Sequence, residues 1–386
     1  MRAFLAERLR VERVALRVCP IADGGDDTLT VLQTADPGYE SHLYQVMGPL
    51  PGMRVNAQYL VHPIQKTVLI EAAQAHGLKL LPIGMEPRPL QATSYGVGEL
   101  MRYVLETYQP ETLVVSVGGS ASTDGGMGAL QALGFQFEDA SGQVMKTPMG
   151  GGDLCKIRRI EWPKNWAGGQ WRRLMIATDV VNPLLGAEGA AAVFGPQKGA
   201  NPQQCQQLEA GLRHVSQLMG NCLGQDNNSE ALAALPGVGA AGGLAYGLRC
   251  LPRAGIISGS DWIAAQLNLP QQVADSDLIL TGEGCLDATS LSGKATGHLL
   301  AMAGDKPVLV FCGQVRDGLT GWGQVSVYPM VSNALSSSAH SAEQAAMANP
   351  KAALRQLLEA AWPKLESLLL SLEPKRASSP DDNCTG

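Results

Sequence analysis

The sequence predicts an α/β fold: a parallel-sheet domain into which a second α/β domain is inserted. Three observations carry this prediction. Short β-branched, apolar runs stop abruptly at loops of glycine and acidic residues, and helical periodicity resumes directly beyond them. Strand-like and helix-like segments alternate, as they do where helices cross over between parallel strands. Between these segments lie stretches with prolines and turn signals but no helical period, which read as the insert.

In chain order, the run over residues 14–19 leads into Pro-Ile-Ala-Asp-Gly-Gly-Asp-Asp-Thr over 20–28, and Leu29, Val31 and Leu32 open a helix. Residues 39–69 carry turn signals. A helix with Val97, Leu100, Met101, Val104 and Leu105 on one face then feeds a strand at Leu113. That strand ends in Gly-Gly-Ser-Ala-Ser-Thr-Asp-Gly-Gly over 118–126, and Met127, Leu130 and Leu133 mark the next helix. Residues 135–171 again lack a regular helix. The apolar run over 174–177 ends at Asp179, and Asn182-Pro183 breaks the chain. Asp-Leu-Ile-Leu over 277–280 is a strand expected to end in Thr281, Gly282, Glu283 and Gly284. Asp287 follows, and Ser292-Gly293-Lys294 opens a helix with Leu299, Leu300 and Met302. Residues 308–312 make a further strand, ending at Gly313. On this reading residues 1–38, 92–133 and 255–372 form the parallel-sheet domain and residues 39–91 and 134–254 the insert. Residues 373–386, without apolar periodicity, are expected to be a disordered tail.

A chain of 386 residues exceeds the size at which one core stops growing, so two domains are expected. Its 29 basic and 35 acidic side chains give a formal charge of −6, which with no dense Lys/Arg block argues against a nucleic-acid binder. No apolar run reaches the length of a membrane span, and Arg2, Glu7, Arg8 and Arg10 stand where a signal peptide would be apolar. A cytoplasmic protein is expected. The cysteines form no CxxC pair and the histidines no HExxH, which argues against a disulfide framework or a zinc site.

The candidate chemistry sits in the loops. Gly118 and Gly119 let backbone N–H groups approach a ligand, Ser120, Ser122 and Thr123 add hydroxyls, and the loop reads as an anion site for a phosphate or a carboxylate. Asp124 in that loop then needs a metal or a proton to carry. Ligands of open parallel sheets lie beyond the carboxyl ends of the strands, so the acid-and-glycine loops are expected to share a cleft. Lys198, in Gly-Pro-Gln-Lys-Gly, is either a point charge for a phosphate or carboxylate or a surface lysine on a turn. Lys294 is placed to reach a bound phosphate, although Ala288 and Ala295 break the P-loop pattern. Asp179 is either a strand-end cap or a general base that deprotonates an alcohol. Asp23, Asp124, Glu283 and Asp287 either orient a magnesium ion or bond substrate hydroxyls. Residues 237–243 satisfy GxGxxG but follow a helix-like, proline-terminated segment rather than a strand, which argues against a dinucleotide site.

Together the segments 22–28, 89–100, 118–126, 178–186, 194–200, 237–243 and 281–287, with Ser292-Gly293-Lys294, resemble the successive motifs of the bacterial glycerate kinase family, in order and spacing. The resemblance implies a Rossmann-like, flavodoxin-like parallel-sheet domain with an inserted second α/β domain. It implies a kinase that uses ATP and Mg²⁺ to phosphorylate D-glycerate, with 2-phosphoglycerate expected over 3-phosphoglycerate. Asp179, Lys198 and Lys294 are then the expected catalytic residues. Gly118, Gly119, Ser120, Ser122, Asp124, Gly282, Glu283, Gly284 and Asp287 are the expected substrate and phosphate ligands, and Asp23 the expected metal ligand. The chain departs from the pattern at Asp27, where the family has glycine, at Thr123 (asparagine) and at Cys285 (arginine). It also begins at what would be the helix after the family's first strand and its lysine-bearing loop. The alternative expectation is therefore a truncated relative that binds glycerate or nucleotide with little turnover.

Overall fold

A computed structural model describes residues 1–9, 14–22, 25, 27–146, 148–163, 171–223, 229–286, 295–315, 324–331 and 349–372. The chain divides into two compact units, residues 1–18 with 268–386 and residues 19–267. Helix α1 (Arg2–Arg8) belongs to the smaller one.

The larger unit opens with α2 (Thr28–Ala35), β1 (Glu40–Met47), β2 (Arg54–His62), β3 (Thr67–Glu71) and the short α3 (Ala73–His76). Helix α4 (Tyr95–Tyr108) feeds β4 (Thr112–Ser116), and α5 (Met127–Ala132) follows. A separate antiparallel pair, β5 (Gln136–Glu138) and β6 (Arg159–Glu161), precedes β7 (Arg173–Ala177). Helices α6 (Ala190–Phe194), α7 (Pro202–Leu223), α8 (Ser229–Ala233) and α9 (Ala240–Arg249) lead to β8 (Ala254–Ile257) and α10 (Gly259–Gln266). The main sheet has the order β1-β2-β3-β4-β7-β8, antiparallel through β3 and parallel from β3 to β8.

The inner strands feed two layers. Ile70, Val115 and Ile176 join the core formed with α4, α5, α7 and α9, while Leu69, Val114 and Ala177 join Leu29 and Leu32 of α2 and Trp262 of α10. Strands covered on both faces read as continuous apolar runs, which is why β4 and β7 stand out in the sequence.

This sheet crosses the expected domain boundaries. Strands β1 to β3 and β7, expected in the insert, lie in one ladder with β4, expected in the parallel-sheet domain. The prolines of the 39–69 stretch, Pro49, Pro51 and Pro63, lie in the connections between these elements. The expected strand over 14–19 does not form: these residues are in no strand of the described chain, and Val18 is 59% exposed. A β-branched run becomes a strand only where a neighbour takes up its N–H and C=O groups.

The smaller unit adds α11 (Leu269–Ala274), β9 (Ile279–Leu286), α12 (Ala295–Ala303), β10 (Val308–Val315), β11 (Val325–Val331) and α13 (Pro350–Ser371). Its three strands are parallel, in the order β11-β10-β9. Phe4 and Leu5 of α1 pack with Leu358, Ala361 and Leu365 of α13 and with Leu309 and Phe311 of β10. Strand β9 does not end in the segment Thr281 to Gly284: its ladder pairs Gly282 with Phe311 and runs on to Leu286. The whole is a mixed α/β fold with predominantly parallel sheets. Among the described residues no helix is long and apolar enough to cross a membrane.

Candidate active site

Four neighbouring parallel strands of the larger unit bring their carboxyl ends to one edge, the place where open α/β sheets bind ligands. Glu71 closes β3, residues 118–120 follow β4, Thr178 and Asp179 follow β7, and Ser258 and Ser260 follow β8. A side chain on Gly118 would come within 3.2 Å of Gly25 Cα, so residue 25 also reaches this edge. Gly119 has φ +59°, the left-handed region in which glycine carries no penalty. Its carbonyl accepts from Leu78 N at 2.8 Å and Ala121 N donates to His76 O at 2.8 Å, anchoring the loop to the 76–78 segment. The amides of Gly118, Gly119 and Ser120 donate to no described acceptor, and Gly119 is exposed.

Asp124 plays a different part from the one its sequence position implied. It is fully buried, and its carboxylate accepts from Ser94 N (2.7 Å), Ser94 Oγ (2.8 Å), Ser122 Oγ (3.3 Å), Gly126 N (3.2 Å) and Gly128 N (3.3 Å). Burial pushes its carboxyl above the usual range, against the pull of the bonds from Ser94, Gly126 and Gly128. The acid is thus used inside the protein, where it satisfies the first amides of α5 and ties the loop to the residue before α4.

Lys198, at the end of a 3₁₀ turn over Pro196–Lys198, is only 3% exposed. Its Nζ donates to Ser120 Oγ at 2.9 Å and to Ser122 O at 2.5 Å. It is therefore not a surface lysine; it lies under the loop. Burial lowers its pKa from 10.5 to about 7, opposed by the negative charge of Asp124. His76, also fully buried, completes the cluster through Nδ1, 3.1 Å from Ser122 Oγ. Because the Ser122 hydroxyl donates to Asp124, Nδ1 carries the proton and donates to Ser122, leaving Nε2 as a buried acceptor with no partner. Burial and the neighbouring Lys198 hold the imidazole neutral, its pKa lowered to about 3.

The backbone of 241–243 closes the cluster from behind. Ala241, Gly242 and Gly243 all have positive φ, and Gly242 O accepts from Gly125 N at 3.0 Å. A side chain at 242 would come within 2.1 Å of Ser122 O and 2.9 Å of Lys198 Nζ. The GxGxxG segment is thus a support for this loop, and helix α8 precedes it, as a dinucleotide fingerprint does not allow.

Asp179 is half-buried. Its Oδ1 accepts from Ser258 Oγ at 3.0 Å and its Oδ2 from Ser260 N at 2.9 Å, while Ser258 Oγ caps α10 by accepting from Asp261 N. The carboxylate is oriented by the start of α10. Glu71, buried, accepts from Leu29 N at 3.4 Å at the start of α2.

In the smaller unit Gly282, Glu283 and Gly284 lie within β9. A side chain on Gly282 would come within 2.7 Å of Phe311 O, whereas one on Gly284 would meet nothing. Burial, with Cys285 and Glu283 nearby, raises the Cys312 thiol to about 11. Asp23, Asp287 and Lys294, and residues 373–386, lie outside the described residues.

The family model for the glycerate kinase family matches residues 2–364. The chain belongs to the glycerate kinase family. A glycerate kinase of Haemophilus influenzae is 38% identical over 300 residues, covering 77% of this chain and 76% of the relative. A glycerate 2-kinase of Escherichia coli is 37% identical over 305 residues, covering 77% and 76%. The crystal structure of a putative glycerate kinase 2 from Salmonella typhimurium LT2 superposes with a TM-score of 0.69 at 32% identity, over 90% of this chain and 88% of that one.

His76, Ser94, Glu71, Ser258 and Ser260 were not singled out from the sequence of this glycerate kinase family member. Ser94 lies in a family-like segment but carries no chemical signal of its own. A buried histidine in a short helix has none at all until the fold places Ser122 beside it.

Proposed function

We propose that the protein is an ATP-dependent kinase of D-glycerate that phosphorylates the 2-hydroxyl. The family match across both units carries the reading, and the name of the Escherichia coli relative supports the choice of carbon. In the proposed reaction the 2-hydroxyl oxygen attacks the γ-phosphorus, the bond from that phosphorus to the β,γ-bridging oxygen breaks, and ADP leaves with the electron pair. The hydroxyl proton passes to Asp179, whose carboxylate α10 holds in one orientation. Phosphoryl transfer is mostly positioning and charge neutralisation, and the amides of 118–120 supply part of each. Gly282, Glu283 and Gly284, with Asp287 and Lys294, are proposed as ligands of anionic or hydroxyl groups of the substrates.

Mg²⁺ is proposed as the nucleotide's counter-ion, neutralising phosphate charge. Such an ion takes one or two protein carboxylates besides the phosphates. Among the described residues no cluster of three His, Cys, Asp or Glu is gathered, and Asp124 is already saturated by donors, so the acid proposed to reach it is Asp23.

Phosphorus NMR of the product formed from D-glycerate and ATP tests the reading. The expected product is 2-phosphoglycerate; 3-phosphoglycerate would overturn the regiochemistry, and turnover only of an unrelated hydroxy acid would overturn the substrate. Asp179→Asn should lower kcat by about 10²–10⁴, the usual contribution of a general base, with the fold intact by circular dichroism. A drop of less than about tenfold would leave Asp179 as the residue that holds α10.

A further inference from the structure

Lys198 has its ammonium committed to the underside of the 118–124 loop through Ser120 Oγ and Ser122 O. Its bond to Ser120 determines what that hydroxyl does. A hydroxyl has one hydrogen and two lone pairs. Nζ occupies a lone pair of Ser120 Oγ at 2.9 Å, so the hydrogen lies on the side away from the lysine, and it has no described acceptor. The amides of Gly118, Gly119 and Ser120 are in the same position. Four donors on three consecutive residues are thus left for an acceptor outside the protein. Gly242 makes the arrangement possible, because any larger residue would displace Nζ or Ser122.

We propose that Lys198 is a positioning residue: from beneath the loop it fixes Ser120 so that its hydroxyl, with the amides of 118–120, binds an anionic group of the substrates. The anion is the carboxylate of glycerate or a phosphate of the nucleotide. This rests on the kinase reading for the identity of the two ligands. The ammonium form is the one that acts, since a neutral amine can itself accept the Ser120 hydrogen and turn it inward. Among the described residues Asp124 and His76 are the titratable groups facing Lys198, both from across Ser122; Asp124 favours its charge, and the 241–243 turn brings none. With the lysine pKa lowered to about 7, ligand affinity should fall as pH rises through neutrality.

Calorimetric titration of the full chain with D-glycerate alone and with ADP alone separates the two sources of the anion. Ser120→Ala should raise the Kd of one ligand about 10–100-fold, the scale of a lost hydrogen bond to a charged group, and leave the other within about threefold. Lys198→Met should weaken the same ligand, and the double variant should be no weaker than Ser120→Ala. Both single variants should lose the alkaline fall in affinity, and in turnover the KM for that ligand should rise more than kcat falls. Unchanged Kd values, additive losses, or an alkaline fall that persists in Ser120→Ala would overturn the proposal. Ser120→Ala decides it alone if Lys198→Met does not fold. Binding without any phosphorylation of glycerate would overturn the kinase reading and not this one, because the titrations need no turnover.

Discussion

The segments 118–124 and 281–284 read alike in the sequence, each an apolar strand running into glycine, hydroxyl and acid, yet the fold uses them differently. After β4 the glycines end the strand and leave amides unbonded, and the acid turns inward to saturate its oxygens with five donors. In β9 the glycines stay inside the ladder, one of them because the carbonyl of Phe311 leaves no room for a side chain. Glycine therefore answers two separate demands, backbone access for a ligand and close approach of a neighbouring strand. The composition of a loop does not tell them apart.

The sharpest way to break this contrast is Asp124→Ala. If the acid is structural, its loss strands the amides of Ser94, Gly126 and Gly128 and removes the charge that faces buried Lys198. Unsatisfied buried groups of this kind should destabilise the protein by about 3–5 kcal/mol, read as a lower midpoint in urea. A loss below about 1 kcal/mol would return Asp124 to the ligands.

Acid should expose the same cluster through His76. Its folded pKa, about 3, lies below the ordinary 6.5, so the unfolded chain takes up the proton first and stability falls as pH drops from about 6.5 towards 3. By pH 4.5 the loss should reach about 2–3 kcal/mol, with Asp124, whose raised pKa favours the folded form in acid, offsetting part of it. His76→Asn keeps a donor for Ser122 and removes the titration. Urea unfolding at pH 7 and 4.5 should therefore show a smaller acid loss in the variant, and equal losses would place the acid sensitivity elsewhere.

The two β9 glycines divide the contrast within one strand. Gly282→Ala pushes a methyl against a backbone carbonyl and should cost about 1–3 kcal/mol, as overpacking does. Gly284→Ala meets open space and should change stability by less than about 1 kcal/mol. Equal thermal shifts for the two would show that crowding is not what holds glycine at 282.

Much of this architecture was legible. The run at Leu113, the face of Val97 to Leu105 and the helix at Met127 all formed as their periodicity required, because a strand buried on both faces and an amphipathic helix leave local patterns. The sheet order was not legible, since the pairing of β3 with β4 is a long-range choice that prolines in the intervening connections disguise as a domain border. The site divides in the same way. That residues 118–120 lie at a strand end follows from sequence; that Lys198 points to the inside does not, because a Gly-Pro-Gln-Lys-Gly turn looks the same whether solvent or a serine loop lies beyond it. His76 and Ser94 acquire roles only from what the fold sets against them.

The smallest effect concerns Asp27, where the resemblance leads one to expect glycine. Asp27 precedes α2 with φ +68°, in the left-handed region, so the backbone retains the conformation that glycine takes without strain. Aspartate tolerates this region better than most residues but still at a cost, while glycine gives back part of the gain as extra freedom in the unfolded chain. The two terms nearly balance, and Asp27→Gly should stabilise the protein by less than about 1 kcal/mol, a small rise in urea midpoint with unchanged steepness. Asp27→Val has no such offset, because a β-branched side chain resists positive φ and should lower the midpoint. If valine is tolerated as well as glycine, the conformation at residue 27 is not fixed, and the start of α2 depends instead on the bond from Leu29 N to Glu71.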